Sequence, residues 1–164
     1  MTILTSGTTP PLVDGRQSER ALQIRRGLQR MFFDLRQATL PELCLANGRR
    51  ADLTCLDPKG KVTIVEIKSS IDDFRSDHKW PDYKAHCDAF YFATLPDVPP
   101  GIFPEAEGLI VADQYGAEII RPPADINLSG ARRKAVVQRF AVSAAERLLQ
   151  AELTSADIAA LPKI

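Results

Sequence analysis

Apolar residues recur every three or four positions between Gln17 and Arg36, at Ala21, Ile24, Leu28, Met31, Phe32 and Leu35. That spacing lines them along one stripe and predicts an amphipathic helix. The period then shortens to two. Leu40 to Leu45 reads as a short strand with Glu42 among apolar neighbours, and Asn47-Gly48 is a hairpin-turn dipeptide. Arg49 to Leu56 predicts the next strand, and Asp57-Pro58-Lys59-Gly60 a turn caused by its proline and glycine. The β-branched run from Val62 to Ile67 predicts a third strand, completing an antiparallel meander.

After Ser69-Ser70 the pattern becomes helical and polar. A turn of helix is expected within Ile71 to Lys79, and Pro81 starts another that reaches about Asp88, since proline suits a first helical position. Ala89 to Ala93 is a fully apolar strand, and a proline-rich loop separates it from the strands Gly108 to Ala112 and Ala117 to Ile120. Ser129 caps a last helix to about Leu153, with Val136, Val137, Phe140, Val142, Leu148 and Leu149 as its apolar stripe. The element order predicts one α/β domain, a mixed β-sheet flanked by helices, over residues 16–164. Residues 1–15, rich in Thr, Pro and Gly, are expected to form a flexible tail.

One strand carries chemistry. Side chains alternate along it, so Glu66 and Lys68 share a face with Val62 and Ile64, while Val65 and Ile67 keep the other face apolar. A face that turns from apolar to ionic within one strand is costly unless the charges are paired, coordinated or used. Folding the meander about the turn centre sets Leu53 to Ala51 opposite Ile64 to Glu66, which brings Asp52 to within one residue of Glu66. Two carboxylates beside a lysine suit a hard divalent cation such as Mg²⁺, which takes one or two carboxylates. Lys68 would add fixed positive charge near a scissile phosphate rather than act as a base, which would need a strongly lowered pKa. The plain alternative is an ion pair at the rim of the sheet.

Asp52 followed by Glu66-Ile67-Lys68 on the next strand resembles the PD-(D/E)xK nuclease superfamily, whose core runs αβββαβ. More narrowly, Gly48-Arg49-Arg50-Ala51-Asp52-Leu53, Val65 to Ser70, Asp72 to Tyr83, Cys87-Asp88 with Tyr91-Phe92-Ala93, and Gly108 to Asp113 are similar to the MmcB family of bacterial DNA-repair proteins, read as endonucleases. The resemblance covers roughly residues 17 to 150 and implies a restriction-endonuclease-like fold. It implies Asp52 and Glu66 as ligands of Mg²⁺ or Mn²⁺, the Ile67 carbonyl as a third ligand, and Lys68 as the catalytic lysine. Ala51 stands where the motif carries its proline, a position that supplies backbone rather than chemistry. Superfamily members often carry a further glutamate, for which Glu42 and, less well placed, Glu19 are the candidates. The implied activity is metal-dependent hydrolysis of DNA phosphodiester bonds in repair. The alternative is a nuclease fold kept as a DNA-binding or adaptor module without catalysis.

Charge and composition narrow the partners. The 164 residues carry 21 basic and 21 acidic side chains, so the basic surplus of a general duplex binder is missing and any DNA contact must be local. Arg25, Arg26 and Arg30, then Arg49 and Arg50, then Arg132, Arg133, Lys134 and Arg139 form the basic clusters. Arg50, Lys79 and Tyr83 are candidate phosphate contacts, the last two sharing a face if one α-helix runs through both. Trp80 is expected against the sheet, and His78 and His86 in structural or solvated positions. Cys44, Cys55 and Cys87 are odd in number and lack CxxC spacing, which argues against a disulfide framework and for a reducing cytoplasm. No apolar run is long enough to span a membrane. A homodimer is compatible with the pattern, though nothing selects it.

Overall fold

Helix α1 (Glu19–Asp34) begins where Ser18 accepts a hydrogen bond from the Ala21 amide at 3.2 Å, and Glu19 adds a favourable charge in the first turn. Its inner stripe buries Ile24, Leu28 and Phe32 against a six-stranded sheet. The computed structural model describes residues 17–153 and 155–160, and the tail expected at 1–15 lies outside them.

The strands are β1 (Ala38–Cys44), β2 (Arg50–Leu56), β3 (Val62–Ile67), β4 (Ala89–Thr94), β5 (Gly108–Ala112) and β6 (Ala117–Arg121), and their spatial order is their chain order. β1, β2 and β3 form the expected antiparallel meander; β3, β4 and β5 are parallel; β6 returns antiparallel. The β3–β4 crossover holds the short helix α2 (Ile71–Ser76) and a 3₁₀ helix (Trp80–His86). Helices α3 (Gly130–Glu152) and α4 (Ser155–Ala160) close the described chain. The order αβββαβ is thus observed from α1 to β4.

Both faces of β3 are buried, and its alternation sorts two cores. Val62 and Ile64 join Phe90, Phe92, Tyr83, Val136 and Phe140 on one side. Val65 and Ile67 join Ile24, Leu28 and Phe32 on the other. Trp80 packs on the sheet as expected, stacked 5.8 Å from Phe90 and edge-on 5.1 Å from Phe92.

Three expectations need correction. The β2–β3 register is Leu53 opposite Val65, one residue from the expected pairing. The turn closes between Asp57 and Lys61, whose main chains bond at 3.1 Å, with Gly60 at a left-handed φ of 85° and Asp57 Oδ1 accepting from the Lys59 and Lys61 amides. Its centre is therefore Lys59. The segment after Pro81 is a 3₁₀ helix and not an α-helix. The apolar stripe of α3 is buried only at Val136 and Phe140, while Val142 and Leu148 are 58% and 61% exposed. A 23-residue helix is about 34 Å long, and it packs along the edge strand β1, beyond which the sheet of the described residues has no strand to cover the later turns.

Candidate active site

Three carboxylate-bearing positions lie in a row across the meander. Glu42 falls between the pairs Pro41–Leu53 and Leu43–Ala51, at the level of Asp52. Extending the β2–β3 register by one residue beyond Leu53–Val65 sets Asp52 opposite Glu66.

Asp52 and Glu66 are locked to each other's strands. Asp52 Oδ2 accepts from the Ile67 amide at 2.8 Å, and Glu66 Oε1 accepts from the Asp52 amide at 3.2 Å. The side chains therefore take over where the β2–β3 ladder stops. Glu66 is 4% exposed. Burial, offset in part by the Ile67 amide and Lys68, pushes the Asp52 carboxyl up to about 6. Burial and then repulsion from Asp52 push Glu66 well above the usual carboxylate range. A proton on either acid, or a cation between them, would relieve that repulsion.

Lys68 is the first residue past β3. Its amide donates to the Ala93 carbonyl at 2.9 Å and its own carbonyl accepts from Thr94 Oγ1 at 2.7 Å, so its backbone is pinned to β4. Its ammonium, 5% exposed as a residue, donates to Asp77 Oδ2 at 2.6 Å. Burial alone would lower the Lys68 pKa, but the bond to Asp77 and the charges of Glu66, Asp77 and Asp52 outweigh it and raise the value. Asp52, Glu66, Ile67 and Lys68 line one hollow of about 340 Å³ with Ser69, Asp73 and, from the start of α1, Gln17, Ser18 and Ala21. The three residues singled out from sequence are brought together.

Glu42 joins from the side. Its backbone is left-handed, φ 57°, which costs a non-glycine residue on the order of 1 kcal/mol. That twist breaks the alternation of β1: Leu40 and Leu43, three apart, face the same core. Arg147 of α3 donates to the Pro41 carbonyl and, at 3.1 Å, to the Glu42 carbonyl, satisfying groups the twist turns out of the ladder. Removing this clamp in Arg147→Ala is expected to cost about 1–2 kcal/mol, read as a lower urea midpoint. The Glu42 carboxylate accepts from Gln17 Nε2 and pairs with Arg50 Nε at 2.5 Å, while Gln17 Oε1 accepts from Arg25 at 3.2 Å.

The other candidates are placed differently. Arg25 belongs to no surface cluster; it is 5% exposed, near Glu42 and Asp52. Its position one turn before Leu28 and two turns before Phe32 was the available signal. Arg50 is held by Glu42. Tyr83 is buried, its hydroxyl donating to the Arg50 carbonyl at 3.0 Å, so it anchors β2. Lys79 is exposed and caps the 3₁₀ helix, where residues four apart do not align as they would at 3.6 per turn. Glu19 is on the surface, 3.9 Å from Arg26. Asp77 and Gln17 were not legible in the sequence, because each reaches its partner through tertiary packing.

The donor set fits a hard divalent cation. Among the described residues no group of three or more His, Cys, Asp or Glu side chains is arranged to hold a metal. Mg²⁺, however, uses few carboxylates and completes its shell with other oxygens. In an extended strand a residue's N–H and C=O point to one edge, so the Ile67 carbonyl is turned toward β2 along with the amide that meets Asp52. Burial raises both carboxylates, and Asp52 raises Glu66 further, so a cation beside the pair would stabilise their charged forms.

A family model described as DNA repair protein MmcB-like matches residues 8–155. A solved structure, a protein of unknown function from Silicibacter pomeroyi, is 36% identical with a TM-score of 0.77, covering 80% of this chain and 90% of that one. No curated protein matches.

Proposed function

The chain belongs to the MmcB-like family of DNA repair proteins, and from that premise we propose that it is a divalent-cation-dependent deoxyribonuclease acting on phosphodiester bonds. The supporting observation is the mutual capping of Asp52 and Glu66 on neighbouring strands, in one hollow with Lys68. Asp52, Glu66 and the Ile67 carbonyl would hold Mg²⁺ or Mn²⁺. When bound, such an ion supplies Lewis acidity toward a phosphoryl oxygen and lowers the pKa of water. Lys68 places a fixed positive charge beside the phosphate, where negative charge grows as water adds and the alkoxide leaves. The two backbone hydrogen bonds keep both carboxylates aimed, so little reorganisation is needed as a substrate phosphate arrives.

The purified protein is expected to nick plasmid DNA only with Mg²⁺ or Mn²⁺, and Lys68→Ala to lower the rate about 100- to 1000-fold. Cleavage by Lys68→Ala at the wild-type rate would remove the reading. A second reading, an adaptor that keeps the fold without catalysis, is favoured by the zero net charge and by the near-complete burial of Glu66 and Lys68. Calorimetry separates them. The enzyme binds Mn²⁺ and loses it in Glu66→Gln, whereas the adaptor binds none.

A further inference from the structure

We propose that Asp77 is a positioning residue for Lys68, so that the α2 segment, and not β3 alone, sets where the lysine charge stands. This rests on the nuclease reading for its catalytic consequence. A lysine side chain has four rotatable bonds, and nothing in a strand end fixes its tip. Within the hollow two carboxylates compete for that tip, because Glu66 and Asp52 both attract the ammonium. The ammonium is nevertheless held by Asp77 Oδ2 at 2.6 Å.

Asp77 is itself fixed by two further contacts. Its Oδ1 accepts from the Lys79 amide at 2.7 Å, and its own amide donates to the Phe74 carbonyl at 3.2 Å. Phe74 packs on Phe92 at 5.4 Å and on Phe103 at 4.9 Å, which ties α2 to the core. The other end of α2 is tied to the same strand exit, where Asp73 Oδ2 accepts from the Ser69 amide at 2.8 Å. The helix thus holds the exit of β3 at Ser69 through Asp73 and at Lys68 through Asp77. Without the Asp77 charge nothing holds the ammonium in one place, and its tip exchanges among Glu66, Asp52 and solvent, so the positive charge no longer stands where a substrate phosphate needs it.

Two readouts test this. In DNA cleavage, Asp77→Asn is expected to lower kcat about 10- to 100-fold with KM for DNA changed less than about twofold, and Asp77→Glu to restore most of the rate. In the metal-free protein, limiting acetic anhydride followed by mass spectrometry is expected to modify Lys68 several-fold faster in Asp77→Asn, with exposed Lys59 as internal reference. Unchanged Lys68 acetylation in Asp77→Asn, or a wild-type kcat in that variant, overturns the proposal. Should Asp77→Asn fail to fold, Asp77→Ser takes its place, with several-fold faster Lys68 acetylation supporting the proposal and an unchanged rate overturning it. If the wild type cleaves no DNA at all, the nuclease reading falls, and the acetylation rates alone decide whether Asp77 holds Lys68.

Discussion

Replacing Asp52 by asparagine is expected to cut cation-dependent DNA cleavage by about 1000-fold or more, while stabilising the metal-free protein above neutral pH. The amide keeps the shape and can still accept from the Ile67 amide, so the local fold survives. What disappears is a negative charge, and with it a ligand. The stability effect has the opposite sign because the folded protein raises the Asp52 pKa from 3.8 to about 6, and raises that of Glu66 too. Native protein therefore holds protons that the unfolded chain releases. The stabilisation is complete below the unfolded value and is lost as pH rises through the folded one. For Asp52 the loss by pH 7 is at most about 3 kcal/mol. Melting temperature of the metal-free wild type should fall between pH 5 and pH 7.5. The Asp52→Asn curve should be flatter and lie above it at the upper end, and saturating Mn²⁺ should flatten the wild-type curve. If the carboxylates were simply parts of stabilising ion pairs, Asp52→Asn would melt lower at neutral pH. That result, together with retained cleavage, would dispose of the site.

Gly27→Ala is expected to destabilise by about 3 kcal/mol or more, with a fall in melting temperature of about 6–12 °C. In an exposed helix interior the same change would stabilise by up to about 1 kcal/mol, since alanine is the better helix former. Here the sign reverses. A Cβ on Gly27 would lie 2.1 Å from the Asp113 carbonyl oxygen and 2.3 Å from that of Gly116, both backbone atoms of the β5–β6 turn. Backbone cannot swing aside as a side-chain tip can, so α1 must lift. The start of α1 also supplies Gln17, Ser18 and Ala21 to the hollow, so cleavage should weaken in the fraction that remains folded. Differential scanning calorimetry gives the answer directly, and a variant melting at or above wild type would mean that α1 does not approach the turn so closely.

The meander, both long helices and the meeting of Asp52, Glu66 and Lys68 were legible in the chain because their causes are local. Turn residues close hairpins over a few positions, apolar spacing chooses helix or strand, and strand alternation assigns faces. Even the error in register was a single residue, set by whether the turn closes on four residues or at the Asp57–Lys61 pair.

What could not be read depends on partners far apart along the chain. Arg147 meets the carbonyls of Pro41 and Glu42 across more than a hundred residues, and that contact supports the left-handed kink of β1. Arg25 turns inward because Glu42 and Asp52 wait beside its helix, and Tyr83 turns inward because a 3₁₀ segment rotates it onto the sheet. Asp77 looked like one acid among several after β3, until the folding of α2 brought it to Lys68. Local pattern selects which chemical groups gather at one strand end. Their aim, burial and charge state arise from packing between distant segments, since only a folded chain excludes water from them and chooses their counter-ions.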